Sequence, residues 1–334
     1  MNPGSARVLD ALRTTRRGKL SGAALSSALG VTRAQVWKHV EQLRSRGYRI
    51  DGVSGGGYHF VTAPDRLYAE EILPGLETRW LARHYVHLDS TDSTNRVASE
   101  LGTQGAPHGT TVVAEGQTAG RGRLGRSFFS PPHVNLYTSI LLRPPLTLPE
   151  APPLVLAAAV AVAETLAASV HDPAAVSIKW PNDVLLGGRK TSGILMELQA
   201  EASRVAFAVL GIGVNLNVDP RTFPVEFRGA ATSLSAFEGR RVDRVAFARL
   251  LYGTLEAAID AFVAGGFEAL RPRFEARFRM AGKPVRVVET GGGSLVGVAL
   301  GIDADGALRV RRRDGGIARV VAGDVTLTKE SSAS

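Results

Sequence analysis

The chain has no cysteine among its 334 residues. That excludes disulfides, thiolate nucleophiles and cysteine-ligated zinc, and it accords with a reducing compartment. Aromatic residues are sparse at 6%, with three Trp. Long apolar runs are nearly missing as well. The longest, Leu154 to Ala163, is Ala-rich and ends at Glu164; it is about half the length a membrane span needs, so a buried helix and no membrane partner are expected. The start, MNPGSARVLD, lacks the apolar stretch of a signal peptide, and the expected location is cytoplasmic. No internal repeat of fixed period occurs. No G-x-x-x-x-G-K-[ST] phosphate loop occurs either; GGRKTSG at 187–193 has the composition without the spacing.

What is present is an ordinary globular composition, 44% hydrophobic and 21% charged, in a chain long enough for two or three domains. The net charge of +9 is unevenly placed. Residues 1–62 carry ten Lys/Arg against three acidic residues, residues 63–270 carry 18 against 21, and residues 271–334 carry 12 against 7. A basic head on a near-neutral body suits a polyanionic partner, with a merely solvated basic surface as the plain alternative. In the head, Val8, Leu9 and Leu12 give one helix an apolar stripe. Leu25 and Leu29 mark a second helix and Gly30-Val31 a tight turn. Thr32 is placed to N-cap a third helix, with Val36, Val40 and Leu43 on one face. Helix, glycine turn, helix is the helix-turn-helix pattern. Its second helix is expected to expose Arg33, Gln35, Lys38 and His39 toward the phosphates and base edges of DNA. A helical module that binds protein is the competing reading. YRIDGVSGGGYHFV alternates around Gly55-Gly56-Gly57 as a hairpin wing would, and Ala63-Pro64-Asp65 reads as a linker.

Residues 84–218 mix strands and helices. Strands are expected in GTTVVAEGQ, VNLYTSILLR, VSIKW, GILMELQ and RVAFAVLGIGVNLNV. A long helix is expected over Leu154 to Val170, and helix again from Val242 to Phe278. From Gly282 onward KPVRVVE, SLVGVALGID and ALRVRRR are short strands parted by GGG, DADG and DGG turns, a pattern that suggests a small barrel. The tail KESSAS is expected to be disordered.

QTAGRGRLGRSF, Gln117 to Phe128, contains a formal G-x-G-x-x-G at Gly120, Gly122 and Gly125. A dinucleotide turn needs a strand before the glycines and a helix after them. The strand is expected, but Arg-Ser-Phe-Phe-Ser-Pro-Pro-His follows, and prolines and aromatics argue against a helix start. Alternating arginines would also crowd a pyrophosphate held on bare backbone. Read otherwise, the glycines give the loop mobility and the arginines bring planar donors that fork onto phosphate or carboxylate oxygens. Such a loop can close over an anionic ligand, against the plain alternative of a surface loop with incidental charge.

GRGRLGR resembles the Gly-Arg signature of biotin–protein ligases, and three further segments are similar to that family in the same order. Ser93-Thr94-Asn95 lies upstream; KWPND (Lys179 to Asp183) is followed by RKTSGIL (Arg189 to Leu195); GIGVN (Gly211 to Asn215) closes the set. With both ends of the chain, the resemblance covers nearly all of it and points to the bifunctional form, ligase and biotin operon repressor. KWPND beside GRGR-x-GR is highly specific, whereas STN or GIG-x-N alone would be weak. The resemblance implies an α+β multidomain fold. A winged helix-turn-helix would span 1–62, a central α/β ligase domain with a mixed, class II synthetase-like sheet 63–280, and a small SH3-like β-barrel 281–330.

It also implies a reaction. Biotin's carboxylate attacks the α-phosphate of ATP, releasing pyrophosphate, and the biotinyl-5′-AMP formed is attacked by a lysine of a biotin carboxyl carrier domain. Two anions must meet, and charge builds on phosphoryl oxygens. Fixed cations and Mg²⁺ are therefore needed more than a general base. A lone lysine on a strand is more often solvated than catalytic; Trp180-Pro181 and the signature single out Lys179. By resemblance Arg123, Lys179, Asp183 and Lys190 are catalytic. Ser93, Thr94, Asn95, Gln117, Arg121, Gly122, Arg123 and Lys190 would hold biotin, whose ureido ring needs its donors and acceptors paired. Arg121, Arg123, Arg126, Lys179, Asn182 and Asn215 would hold ATP or the adenylate. The part of Asp183 stays open: orienting Arg123 or Lys179, assisting Mg²⁺, or taking the proton of the incoming amine. No other protein ligand to a metal is expected. Two features depart from the family pattern. Asp-Ser-Thr occurs twice, at 89–91 and 92–94, and only the second copy precedes Asn; Phe128 stands where Trp is frequent. A homodimer and operator DNA bound through residues 1–62 complete the expected partners. The alternatives are a lipoate–protein ligase and a ligand-sensing transcription factor without ligase activity.

Overall fold

Polar caps set the helices of the N-terminal unit, Met1–Arg66. In this computed structural model the described residues are 1–15, 19–53, 56–289 and 293–327. Gly55, part of the 291–293 GGG turn, residues 328–330 and the KESSAS tail lie outside them. Asn2 caps α1 (Pro3–Thr14), its side chain accepting from Ser5 N, with Pro3 supplying a preset φ at the first turn. Ser21 caps α2 (Gly22–Leu29), which ends on Gly30 in the left-handed region. Thr32 and Gln35 form a reciprocal capping box on α3 (Arg33–Ser45). Val8, Val36, Val40 and Leu43 are fully buried between the helices, as their spacing predicts. The wing is β1 (Arg49–Val53) antiparallel to β2 (Gly57–Thr62). Leu20 pairs with Tyr58 alongside it, so a Cβ on Gly57 would lie 2.3 Å from the Leu20 carbonyl oxygen.

One of the expected DNA residues is less exposed than its spacing implies. His39 is half-buried and turned toward α1, its Nδ1 3.0 Å from Ser5 Oγ. A Cβ on Gly4 would stand 2.5 Å from its ring. The i−3 spacing from Gln42, which also bonds Ser5, places His39 on the flank that packs on α1. Arg33, Gln35 and Lys38 are exposed as expected.

From Leu67 onward the chain forms a second unit. Its elements run α4 (Ala69–Ile72), β3 (Tyr85–Leu88), α5 (Thr94–Thr103), β4 (Thr111–Ala114), β5 (Leu136–Leu142) and α6 (Leu154–Ser169). Then come β6 (Val176–Lys179), β7 (Asp183–Leu186), β8 (Arg189–Glu201), β9 (Arg204–Val214), α7 (Leu234–Glu238), α8 (Arg244–Gly265) and α9 (Arg271–Glu275). The strands form one sheet in the order β3-β4-β5-β9-β8-β7-β6. Only β3 and β4 pair in parallel, so the sheet is mixed. α6 and α8 cover one face and share its core; α5 covers the other through Ala98, Val112, Leu141, Phe207 and Val209. Leu148–Ser169 is long and apolar enough to cross a membrane by composition. Most of α6 is nevertheless buried against α8 and the sheet, which is the reason for its apolarity. β7 went unread in the sequence. Its four residues sit between Pro181-Asn182 and Gly187-Gly188, too short a run to show a period.

β10 (Pro284–Glu289), β11 (Ser294–Ile302), β12 (Leu308–Arg312), β13 (Ile317–Val320) and β14 (Gly323–Leu327) make an antiparallel sheet in the order β13-β12-β11-β10-β14. Alternate residues Val285, Val287, Val310, Val320 and Val325 point into one apolar interior, continuous with the core under α6. β11 bulges between Ala299 and Gly301. This is the small all-β unit that the closing strand pattern implied.

Candidate active site

Three glycines of β8 and β9 clear a floor on the central sheet. A Cβ on Gly211 would lie 2.1 Å from Asn95 Oδ1, one on Gly213 2.6 Å from the Phe128 ring, and one on Gly193 3.1 Å from the Lys190 stem. The GIG of GIGVN is thus the ground on which STN and the arginine loop rest. Asn95, in the first turn of α5, is buried; its Nδ2 donates to Glu197 Oε2 at 2.8 Å. Ser139 Oγ lies 2.7 Å from both Thr94 Oγ1 and Asn95 Oδ1. Gln117 Oε1 accepts from Thr94 N at 2.9 Å, and its Nε2 donates to Ser130 Oγ at 3.0 Å. The second Asp-Ser-Thr copy therefore lines the pocket, with Ser93, Thr94, Gln117, Arg121 and Tyr137 around it. Thr91 of the first copy joins the loop by backbone pairing.

Gln117–Phe128 is a small hairpin, with no helix after the glycines. Arg121 bridges Ser127, Gly122 N donates to Arg126 O at 2.7 Å, and Phe128 N donates to Gly120 O at 2.8 Å. Gly120 is obligatory there, because a Cβ would stand 2.6 Å from Phe128 O. Leu124 adopts a left-handed φ of 55° at the exposed tip. Arg123 donates to Asn182 Oδ1 at 3.2 Å and to Gly323 O at 3.0 Å. Arg126 meets Asp324 at 2.5 Å. Burial lowers the Arg123 pKa, against the opposing pull of Asp324 and Asp183. KWPND turns through a cis Trp180-Pro181 bond. It sets Lys179 at the end of β6 opposite Asp183 at the start of β7. The Asp183 carboxylate is 2.6 Å from Lys190 Nζ and 3.8 Å from Lys179 Nζ. Lys190 borders three adjoining cavities: the STN pocket, a cation-lined cleft with Lys179, Arg126 and Asp324, and an apolar slot.

Asn215 lines that slot together with Phe129, Phe223 and Phe227. It accepts from Asn135 Nδ2 at 3.3 Å and donates to Thr232 O at 3.2 Å. Behind it, Arg244 and Glu115 form a fully buried pair at 3.0 Å, with Arg244 also donating to Asn135 O. Glu115 is held down to about 2, desolvation opposing; bonds from His87, Arg244 and Leu67 N outweigh that opposition. Among the described residues no group of three His, Asp or Glu is placed to bind a metal.

Every expected biotin and ATP residue thus borders one of these three adjoining cavities, while the expected DNA residues lie in the N-terminal unit. Reading the sequence missed Tyr137, Ser139, Glu197, Asp324 and the three phenylalanines. Their contacts span tens to hundreds of positions, and no local spacing marks them.

A polar pocket opening into a cation-lined cleft on a mixed sheet, in a chain that also carries a helix-turn-helix unit, defines an acid-activating ligase with a DNA-binding appendage. Residues 87–215 match the biotin/lipoate A/B protein ligase family, residues 6–59 an HTH domain, and residues 281–327 the biotin protein ligase C-terminal domain. The chain is 38% identical to the bifunctional ligase/repressor BirA of Bacillus subtilis, over 92% of this chain and 94% of that protein. It is 34% identical to the protein of the same name from Escherichia coli, covering 92% of each. A biotin protein ligase from Aquifex aeolicus, solved with biotin and ATP, aligns with a TM-score of 0.63 at 30% identity, over 74% of this chain and 100% of that one. The chain belongs to the family of bifunctional biotin–protein ligases and repressors.

Proposed function

We propose that the protein activates biotin with ATP and transfers it to a lysine of a biotin carboxyl carrier domain, and that it represses transcription through residues 1–62 in a biotin-dependent way. The observation that supports this best is the shared wall of the three cavities: Lys190 borders the pocket suited to biotin, the cleft suited to phosphates and the slot suited to a base. Ser93, Thr94 and Gln117 offer the donors and acceptors a buried ureido ring requires. Lys190 and Arg121 face the carboxylate that becomes the acyl phosphate. Arg123, Arg126 and Lys179 stabilise phosphoryl charge as it builds, in a cleft that excludes part of the solvent. Asn215 and the phenylalanine slot take the adenine. Asp183 already has lysines on both sides. A further cation there would have to displace one, so Asp183 would orient the two lysines, and Mg²⁺ bound with ATP would supply additional charge neutralisation for the phosphates. The protein acts in the cytoplasm as a homodimer whose two helix-turn-helix units read a two-fold operator.

Transfer of radiolabelled biotin to a carrier domain tests the ligase. It should require ATP and fall by orders of magnitude in Lys179→Ala. Equal transfer by that variant would remove Lys179 from the mechanism, and stabilisation by lipoate instead of biotin would replace the substrate.

A further inference from the structure

Three tryptophans occur in the chain, and the fold encloses two of them. Trp180 is buried, and Trp80 is half-buried, its ring tilted 47° against His108 and its Nε1 donating to Asp260. Trp37 is left 55% exposed on α3. More than half of the indole therefore stays in contact with water, a large apolar surface available to a partner. The flank of α3 beside it is already committed: Gln35 holds the Thr32 amide, while His39 and Gln42 bond Ser5. Exposed on the remaining face of the first two turns are Ala34, Trp37 and Lys38, at i, i+3 and i+4, with Arg33 one turn before Trp37. Among the described residues neither Arg33 nor Lys38 has an acidic partner.

We propose that Trp37, flanked by Ala34, is the sequence-reading residue of α3 and packs on the 5-methyl group of a thymine in the major groove. The inference rests on the DNA-binding reading of the N-terminal unit and deepens it. The surplus of seven positive charges in residues 1–62 selects a polyanion over an apolar protein groove. Charge alone attracts every duplex equally. Discrimination has to come from groups that meet base edges, and the groove side of a thymine is marked by its methyl group, which apolar side chains recognise. Gln35 is exposed but spends its side-chain oxygen on the Thr32 amide, and His39 is half-buried against Ser5, so neither offers both of its polar atoms to a base edge. The ridge that remains is apolar between two cations. Lys38 and Arg33 hold phosphates on either side, and the operator half-site carries thymine, not guanine, opposite Trp37.

The test uses the full-length protein with biotin and ATP. Duplexes are selected from a random-sequence library, and the winning duplex is remade with deoxyuridine replacing thymine one position at a time. Removing one contacted methyl should weaken wild-type binding about fourfold, the worth of one buried methyl group. In Trp37→Ala that position should become indifferent to the methyl. Trp37→Phe, which keeps a ring, should retain part of the sensitivity and guards against a misfolded variant. Lys38→Ala should weaken all duplexes alike and keep the sensitivity. If the wild type retains no duplex, the repressor reading itself falls. If duplexes are retained and Trp37→Ala has the wild-type uracil profile, only the role of Trp37 is overturned.

Discussion

Gly211 shows how a small residue defines the site. It sits in the middle of β9, where a side chain facing the pocket would overlap Asn95 Oδ1 at 2.1 Å. Asn95 cannot swing away, being fixed by Ser139 and Glu197. Gly211→Ala should therefore push α5 and STN out of register. The chain should still fold, and biotin affinity should drop by about tenfold to a hundredfold, the worth of about 1–3 kcal/mol of overpacking. Calorimetric titration of biotin reads this directly, and unchanged affinity would show that Asn95 moves freely. At this scale the sequence was most informative where chemistry is carried by residue type. Lysines, arginines and the STN polar triplet stand out through their resemblance to the family signature, and they border adjoining cavities. For the glycines the sequence pattern suggests mobility, whereas the structure adds close approach: Gly120 lies against Phe128 O, and Gly193 and Gly213 make room for Lys190 and Phe128. Which atom approaches a missing Cβ is a tertiary fact. The half-burial of His39 is likewise tertiary, since α1 covers part of a face that the helix spacing alone places outward.

Among the elements, β3, β4 and α8 are tied where the sheet meets the site. Glu115 follows β4 and accepts from Arg244 in the first turn of α8, from His87 on β3 and from Leu67 N. The pair is separated by 129 positions, so no window of sequence could have joined them. The folded pKa of Glu115, about 2, lies below its ordinary 4.5. Its contribution is complete above the unfolded value and is lost as pH falls from about 4.5 toward about 2. Glu115→Gln would remove the charge that faces Arg244 in this fully buried pair, a loss of about 3–5 kcal/mol at neutral pH. Urea unfolding of both proteins from pH 7 to pH 3 should show that gap narrowing with acidification. A gap that stays constant would mean the charge is not what the pair contributes. By contrast, α3 shows an apolar face and α6 an unbroken apolar run, each long enough to read locally, whereas β7, with four residues, offers neither.

On the scale of the molecule, the closing β-unit, matched by a C-terminal domain family over residues 281–327, shares its core with the catalytic body. Trp180 of KWPND donates to Gly306 O at 3.0 Å, and Gly306 in turn packs on Leu156 and Pro153, close enough that a Cβ would stand 2.7 Å from the Leu156 side chain. Ile178 pairs with Phe278, and the interior valines of β10 and β12 join the core beneath α6. Two arginines of the GRGRLGR loop also end on β14, at Gly323 O and Asp324. Deleting residues 281–334 should therefore expose the back of Trp180 and free the loop's phosphate-facing side chains together. The truncated chain should melt lower by about 10 °C or more, as a loss of several kcal/mol implies for a body of this size. Its adenylation rate should fall further than its biotin affinity, because Ser93, Thr94 and Gln117 are held by contacts within the central sheet and α5. Differential scanning calorimetry with a pyrophosphate-release assay distinguishes the outcomes. A truncated chain that melts as the whole one does and releases pyrophosphate at the same rate would show that β10–β14 serve neither the core nor the loop. A fall in melting temperature with an unchanged rate would assign them to the core alone.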